Sequence, residues 1–77
     1  MSEPVVLFDG WRMRVTRDPF DRRIHIMVWG EDGRWITAPM SGYREPPGTL
    51  SAVEHLRDAL TDTQAYFDTL PIPQGFP

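Results

Sequence analysis

The stretch RRIHIMVWGEDGRWITAP, residues 22–39, decides the fold. Its β-branched and aromatic residues alternate with polar ones on both sides of an Asp/Gly centre, the pattern of two strands joined by a tight turn. Two registers compete. A two-residue Asp32-Gly33 turn would set Val28 on the same face as Trp35 and Thr37. A three-residue loop, Glu31-Asp32-Gly33 with Gly33 left-handed, instead sets Val28 beside Ile36 and Ile26 beside Ala38. The second sorts the side chains far better. It predicts one apolar face of Ile24, Ile26, Val28, Ile36 and Ala38, and an opposite face of Arg23, His25, Met27, Trp29, Trp35 and Thr37. Trp29 and Trp35 then lie directly across from each other.

Upstream, PVVLFDGWRMRV (residues 4–15) alternates in the same way around Asp9-Gly10, a strong signal for a two-residue hairpin turn because both central positions need positive φ. That turn pairs Phe8 with Trp11, Val6 with Met13 and Pro4 with Val15. It gathers Val6, Phe8, Trp11, Met13 and Val15 on one face, and Val5, Leu7, Arg12, Arg14 and Thr16 on the other. Downstream, residues 40–48 (MSGYREPPG) carry two glycines and two prolines and read as a loop. A helix is expected over residues 49–69, opened by a Ser51/Glu54 capping box and presenting Val53, Leu56, Leu60, Gln64 and Phe67 as one stripe. It weakens at Thr61-Asp62-Thr63. Pro71 and Pro73 end it, and residues 70–77 read as an extended Pro-rich tail, either a polyproline-II ligand for an aromatic groove or, the preferred reading, a segment whose Ile72 and Phe76 fill gaps on the domain.

The expected architecture is α+β: one domain over residues 1–77, a four-stranded antiparallel β-meander (residues 1–39) with one C-terminal α-helix packed on one face. The core would hold Val6, Phe8, Trp11, Met13, Val15, Ile24, Ile26, Val28, Ile36, Val53, Leu56, Leu60 and Phe67. One helix covers one side of a sheet. The other side is left to water or to a partner.

Composition bounds what that face can serve. At 77 residues the chain buries only about 60% of its unfolded surface, so self-association is a natural supplement. No cysteine is present, which removes disulfides, thiolate metal sites and thiol nucleophiles. The N-terminal MSEPVV is not a signal peptide and no run approaches the roughly 20 apolar residues of a membrane helix, so a cytoplasmic protein without membrane contact is expected. All eight basic residues are arginine against eleven acids, for a net charge of −3. The charge is polarised, with Arg12, Arg14, Arg17, Arg22 and Arg23 in the front half and Glu45, Glu54, Asp58, Asp62 and Asp68 in the back.

The uncovered face would therefore present Arg12, Arg14, Arg23, Met27, Trp29 and Trp35, residue types enriched at protein interfaces. A cross-strand indole pair shielded by arginine stems is also a structural device in its own right. Glu54, Asp58 and Asp62, four apart on the helix, form a secondary acidic surface. Single-stranded nucleic acid is the competing partner, because arginines interleaved with aromatics suit it. The net negative charge and the absence of an RNP aromatic pattern weigh against it.

No enzyme is expected. His55 and Asp58 are three apart, but no further ligand completes a metal site. Ser2, Ser41 and Ser51 lack any nucleophile context, no phosphate-binding glycine loop exists, and without lysine there is neither a P-loop nor Schiff-base chemistry. No cofactor is implied. Small size, lack of cysteine and lack of a catalytic constellation are traits shared with accessory and phage-encoded proteins that act by binding something larger. The sequence thus points to a non-catalytic protein-binding domain, an inhibitor or adaptor, with a homodimer as a further use of the Trp face.

Overall fold

The computed structural model describes residues 3–72. In chain order it contains β1 (Val5–Asp9), β2 (Met13–Arg17), β3 (Arg23–Trp29), β4 (Trp35–Thr37), β5 (Tyr43–Arg44) and α1 (Thr49–Phe67). The sheet is antiparallel with strand order β1-β2-β3-β4, and the helix packs on one of its faces, giving an α+β, ββββα-like fold.

The β3–β4 hairpin follows the alternation of its residues. Val28 pairs with Ile36 and Trp29 with Trp35, and Ala38 N–H donates to the Ile26 carbonyl at 2.9 Å. Gly30 N–H closes on the Arg34 carbonyl (2.9 Å). Gly33 takes φ 79°, the left-handed conformation that a three-residue loop demands. Ile24, Ile26 and Val28 are consequently buried to 1% exposure or less.

The first hairpin departs from its expected register. Phe8 pairs with Val15 and Asp9 with Arg14, so the turn sits at Trp11-Arg12, closed by Gly10 N–H donating to Met13 O at 2.8 Å. Gly10 is not in the positive-φ region that an Asp-Gly turn would use. The Phe8 ring lies where a Cβ on Gly10 would stand, with its nearest carbon 2.5 Å from that position. A β-bulge between Val6 and Phe8 absorbs the slip and sets both Leu7 and Phe8 towards the helix side. The expected core loses Val6, Phe8 and Trp11, all of them exposed, and keeps Met13 and Val15.

The expected loop over residues 40–48 contains β5, which pairs Ile24 with Tyr43 and Arg23 with Arg44. It occupies the N-terminal end of β3, while β4 occupies the C-terminal end.

Helix α1 starts earlier than the Ser51/Glu54 capping box requires. Its N-cap is Gly48 (φ 88°), with no side-chain cap hydrogen bond, and Ser51 lies inside the first turn. Its buried line is Ala59, Thr63 and Phe67, flanked by half-buried Leu56 and Leu60. Val53 is 59% exposed and Gln64 is exposed, so the helix is rotated from the expected stripe. The helix runs unbroken through Thr61-Asp62-Thr63. The Thr61 and Thr63 hydroxyls donate back to the carbonyls of Arg57 (2.9 Å) and Ala59 (2.7 Å), which satisfies the polar group within the turn. Beyond the helix Ile72 is 75% exposed rather than packed, and Phe76 lies outside the described residues.

Candidate functional site

Sheet geometry builds the face turned away from the helix. Odd positions of β3 point away from the helix, so Arg23, His25, Met27 and Trp29 form one row, spanning roughly 20 Å at the rise of an antiparallel strand. The register sets Thr16 and Arg14 of β2 beside His25 and Met27. On the other flank Thr37 lies beside Met27, Trp35 beside Trp29 and Arg44 beside Arg23. The face therefore has an indole end and a guanidinium end.

At the indole end Trp29 and Trp35 meet edge to face, with centroids 5.2 Å apart and planes at 80°. This arrangement sets the positive rim of one ring against the negative face of the other. The Arg14 guanidinium carbon lies 4.9 Å from the Trp35 centroid, and its Nε is 3.4 Å from Asp9 Oδ1. Met27 accepts a 3.8 Å hydrogen bond at sulfur from Thr37 Oγ1. Both indoles are half-buried, and each keeps part of its surface open to solvent.

At the guanidinium end Arg23 and Arg44 are direct cross-strand partners, both exposed. Arg23 donates to the Gly42 carbonyl (2.7 Å), and its Nε is 3.7 Å from Asp21 Oδ2. The Arg44 side chain has no hydrogen bond or ion pair among the described residues. Two like charges directly opposite on a sheet destabilise it.

Arg12, expected on this face, is not there. It is 2% exposed and turned to the end of the helix. Its Nε donates to Trp29 O (3.0 Å), Nη1 to Phe67 O (3.3 Å) and Nη2 to Pro71 O (2.8 Å). Displacement of the turn to Trp11-Arg12 carries this side chain to the C-terminus of α1, where carbonyls and the helix dipole both favour a cation. The expected face thus brings together Arg14, Arg23, Met27, Trp29 and Trp35, loses Arg12, and gains Arg44, which no strand assignment had placed. A two-residue strand is too short to show alternation, so no periodic signal marked Arg44.

Glu54, Asp58 and Asp62 all lie exposed on α1, on the opposite layer from the Trp pair, and Asp58 is 3.8 Å from the Arg57 guanidinium. A separate groove of about 570 Å³ lies between β1, β2 and the start of α1. There Glu45, whose side chain is 9% exposed, pairs with both Arg17 (3.3 Å) and Arg22. Beside it the Tyr43 and His55 rings meet at a tilt of 49° with centroids 4.4 Å apart. Burial, and secondarily the Glu45 charge, raises the Tyr43 phenol above its ordinary value. A second groove of about 420 Å³ runs between Phe8, Met13, Val53, Leu56 and Leu60.

Among the described residues, no three His, Cys, Asp or Glu side chains gather to hold a metal ion, and no helix is long and apolar enough to cross a membrane. No protein-family model matches this chain, and no curated protein or solved structure is significantly similar to it.

Proposed function

We propose that the protein is a small non-catalytic protein-binding domain, of inhibitor or adaptor type, that engages a larger partner through the sheet face turned away from the helix. The observation that carries this reading is the indole end of that face. Trp29 and Trp35 are held edge to face, with Met27 on the same row and Arg14 over one ring. Such a surface presents aromatic area whose side chains already pack on each other, and the more they are held there the less conformational entropy is lost when it is covered. The acidic stripe Glu54, Asp58 and Asp62 faces the other way and serves as a secondary surface.

Position-resolved photo-crosslinking tests the reading. A benzophenone side chain placed at His25, in the middle of the face, is expected to give a discrete adduct in a lysate of the source cells. The same group at Thr61, on the exposed side of α1, is expected to give none. Adducts from Thr61 alone would transfer the function to the helix. Light scattering over a concentration series, on the wild type and on Trp29→Ser/Trp35→Ser, then shows whether the partner is a second copy.

A further inference from the structure

The guanidinium end of the same face points to the chemistry of the partner, and resting on the reading above, we infer that the face takes an acidic protein segment carrying an apolar or aromatic anchor. Arg23 and Arg44 stand directly opposite each other, a cross-strand pairing that costs the free domain stability. The nearest carboxylate, Asp21, is 3.7 Å from Arg23. Arg44 has no ion pair among the described residues. The helix acids lie on the opposite layer and cannot fold back to neutralise them. One carboxylate placed between Arg23 and Arg44 would turn repulsion into two charge-assisted hydrogen bonds. From there the row runs past His25 and Met27 to the indoles, roughly 20 Å away, a span covered by about six residues of extended chain or thirteen of helix. An acidic group at one end and an apolar side chain on Trp29 and Trp35 at the other match both ends of the face together.

A protein segment suits this surface better than nucleic acid. Arg14 is already held by Asp9 and Trp35, and Asp9 and Asp21 lie on the rim, where they would repel a continuous phosphate backbone. Strong polyanion binding rests on many phosphate contacts, and two of the arginines on this face, Arg14 and Arg23, already have carboxylate partners in Asp9 and Asp21.

The test pans a random 12-residue peptide display library on the full-length protein, then measures the enriched peptides by fluorescence anisotropy. Arg44→Glu, Arg23→Glu/Arg44→Glu and Trp29→Ser/Trp35→Ser are the variants, each checked for folding by circular dichroism. Because Arg44 has no ion pair to lose among the described residues, the single variant remains informative if a double variant unfolds. Peptides pairing Asp or Glu with an aromatic or aliphatic residue, bound roughly tenfold more weakly by Arg44→Glu and more weakly as salt is added, support the inference. Enriched peptides without acids, lost on Trp29→Ser/Trp35→Ser and indifferent to Arg44→Glu, overturn it while leaving the sheet-face reading standing. Peptides indifferent to every variant overturn both. A dT12 oligonucleotide bound more tightly than any peptide, or a dimer dissolved by Arg44→Glu, overturns the inference in favour of nucleic acid or of a second copy.

Discussion

The Arg12 guanidinium donates to the carbonyl of Phe67, 55 positions along the chain, and lies 5.7 Å from the centroid of that residue's own ring. With its bonds to Trp29 O and Pro71 O, this one side chain ties the β1–β2 turn, the end of β3 and the end of α1 together. Among the described residues its charge is met by three carbonyls and the helix dipole, with no carboxylate partner.

Arg12→Ala is therefore expected to cost on the order of 3 kcal/mol, since it strips buried carbonyls of charged donors. That is a large part of the stability of a domain this small. Arg12→Lys should fall between the two, because an ammonium cannot reproduce the planar fork. Urea unfolding measures both. A loss under about 0.5 kcal/mol for Arg12→Ala would show that the network contributes nothing net.

The rotated helix is tested by a pair of substitutions. Val53→Ser, at an exposed position, is expected to change stability by less than about 0.5 kcal/mol. Ala59→Leu, at 1% exposure, is expected to cost about 1–3 kcal/mol by overpacking the space under the helix. The reverse order of sensitivity in thermal or urea unfolding would restore the stripe expected from sequence.

These positions also show how far the residues alone can be read. The β3–β4 hairpin was legible because Ile24, Ile26 and Val28 alternate without interruption and only one loop length keeps Ile36 and Ala38 on their face. The Trp29–Trp35 juxtaposition follows from that register. The first hairpin was not legible, because Val5-Val6-Leu7-Phe8 is apolar at every position and a bulge changes its facing within the strand. Asp9-Gly10 then offered a turn, but the turn stands two residues further on, at Trp11-Arg12, with Arg12 buried. On the helix, the line nearest the sheet is small (Ala59) or hydroxylated (Thr63), and a search for large apolar residues passes over both. Arg44 escaped for a different reason, the brevity of β5.

Asp18 opens the β2–β3 turn, its Oδ1 accepting from the N–H groups of Phe20 (2.7 Å) and Asp21 (3.2 Å). The bond from Phe20 first, and that from Asp21 second, hold its carboxyl below the ordinary 3.8 in the folded chain. The stabilisation is complete above the unfolded value and is lost as pH falls through the folded one, so it disappears in the acid range below 3.8. A side-chain carboxyl titration by NMR should place the Asp18 midpoint under that value. Asp18→Asn keeps the acceptor oxygen and is expected to remove this part of the acid dependence. A midpoint at or above 3.8 would mean that the turn bonds do not hold the charge.

The Trp29–Trp35 contact carries the proposed recognition surface only if it is rigid before a partner arrives. A double-mutant cycle with Trp29→Val and Trp35→Val, which keeps strand propensity at both sites, isolates the ring–ring interaction. The edge-to-face geometry predicts a coupling of about 0.5–1.5 kcal/mol. Arg14→Met retains a stem over Trp35 while deleting the charge, and is expected to lose about a further 0.5–1 kcal/mol at this partly exposed position. A coupling indistinguishable from zero would mean that the indoles are not held against each other in the free protein. Partner binding would then have to order them, and its measured entropy would turn unfavourable by that amount.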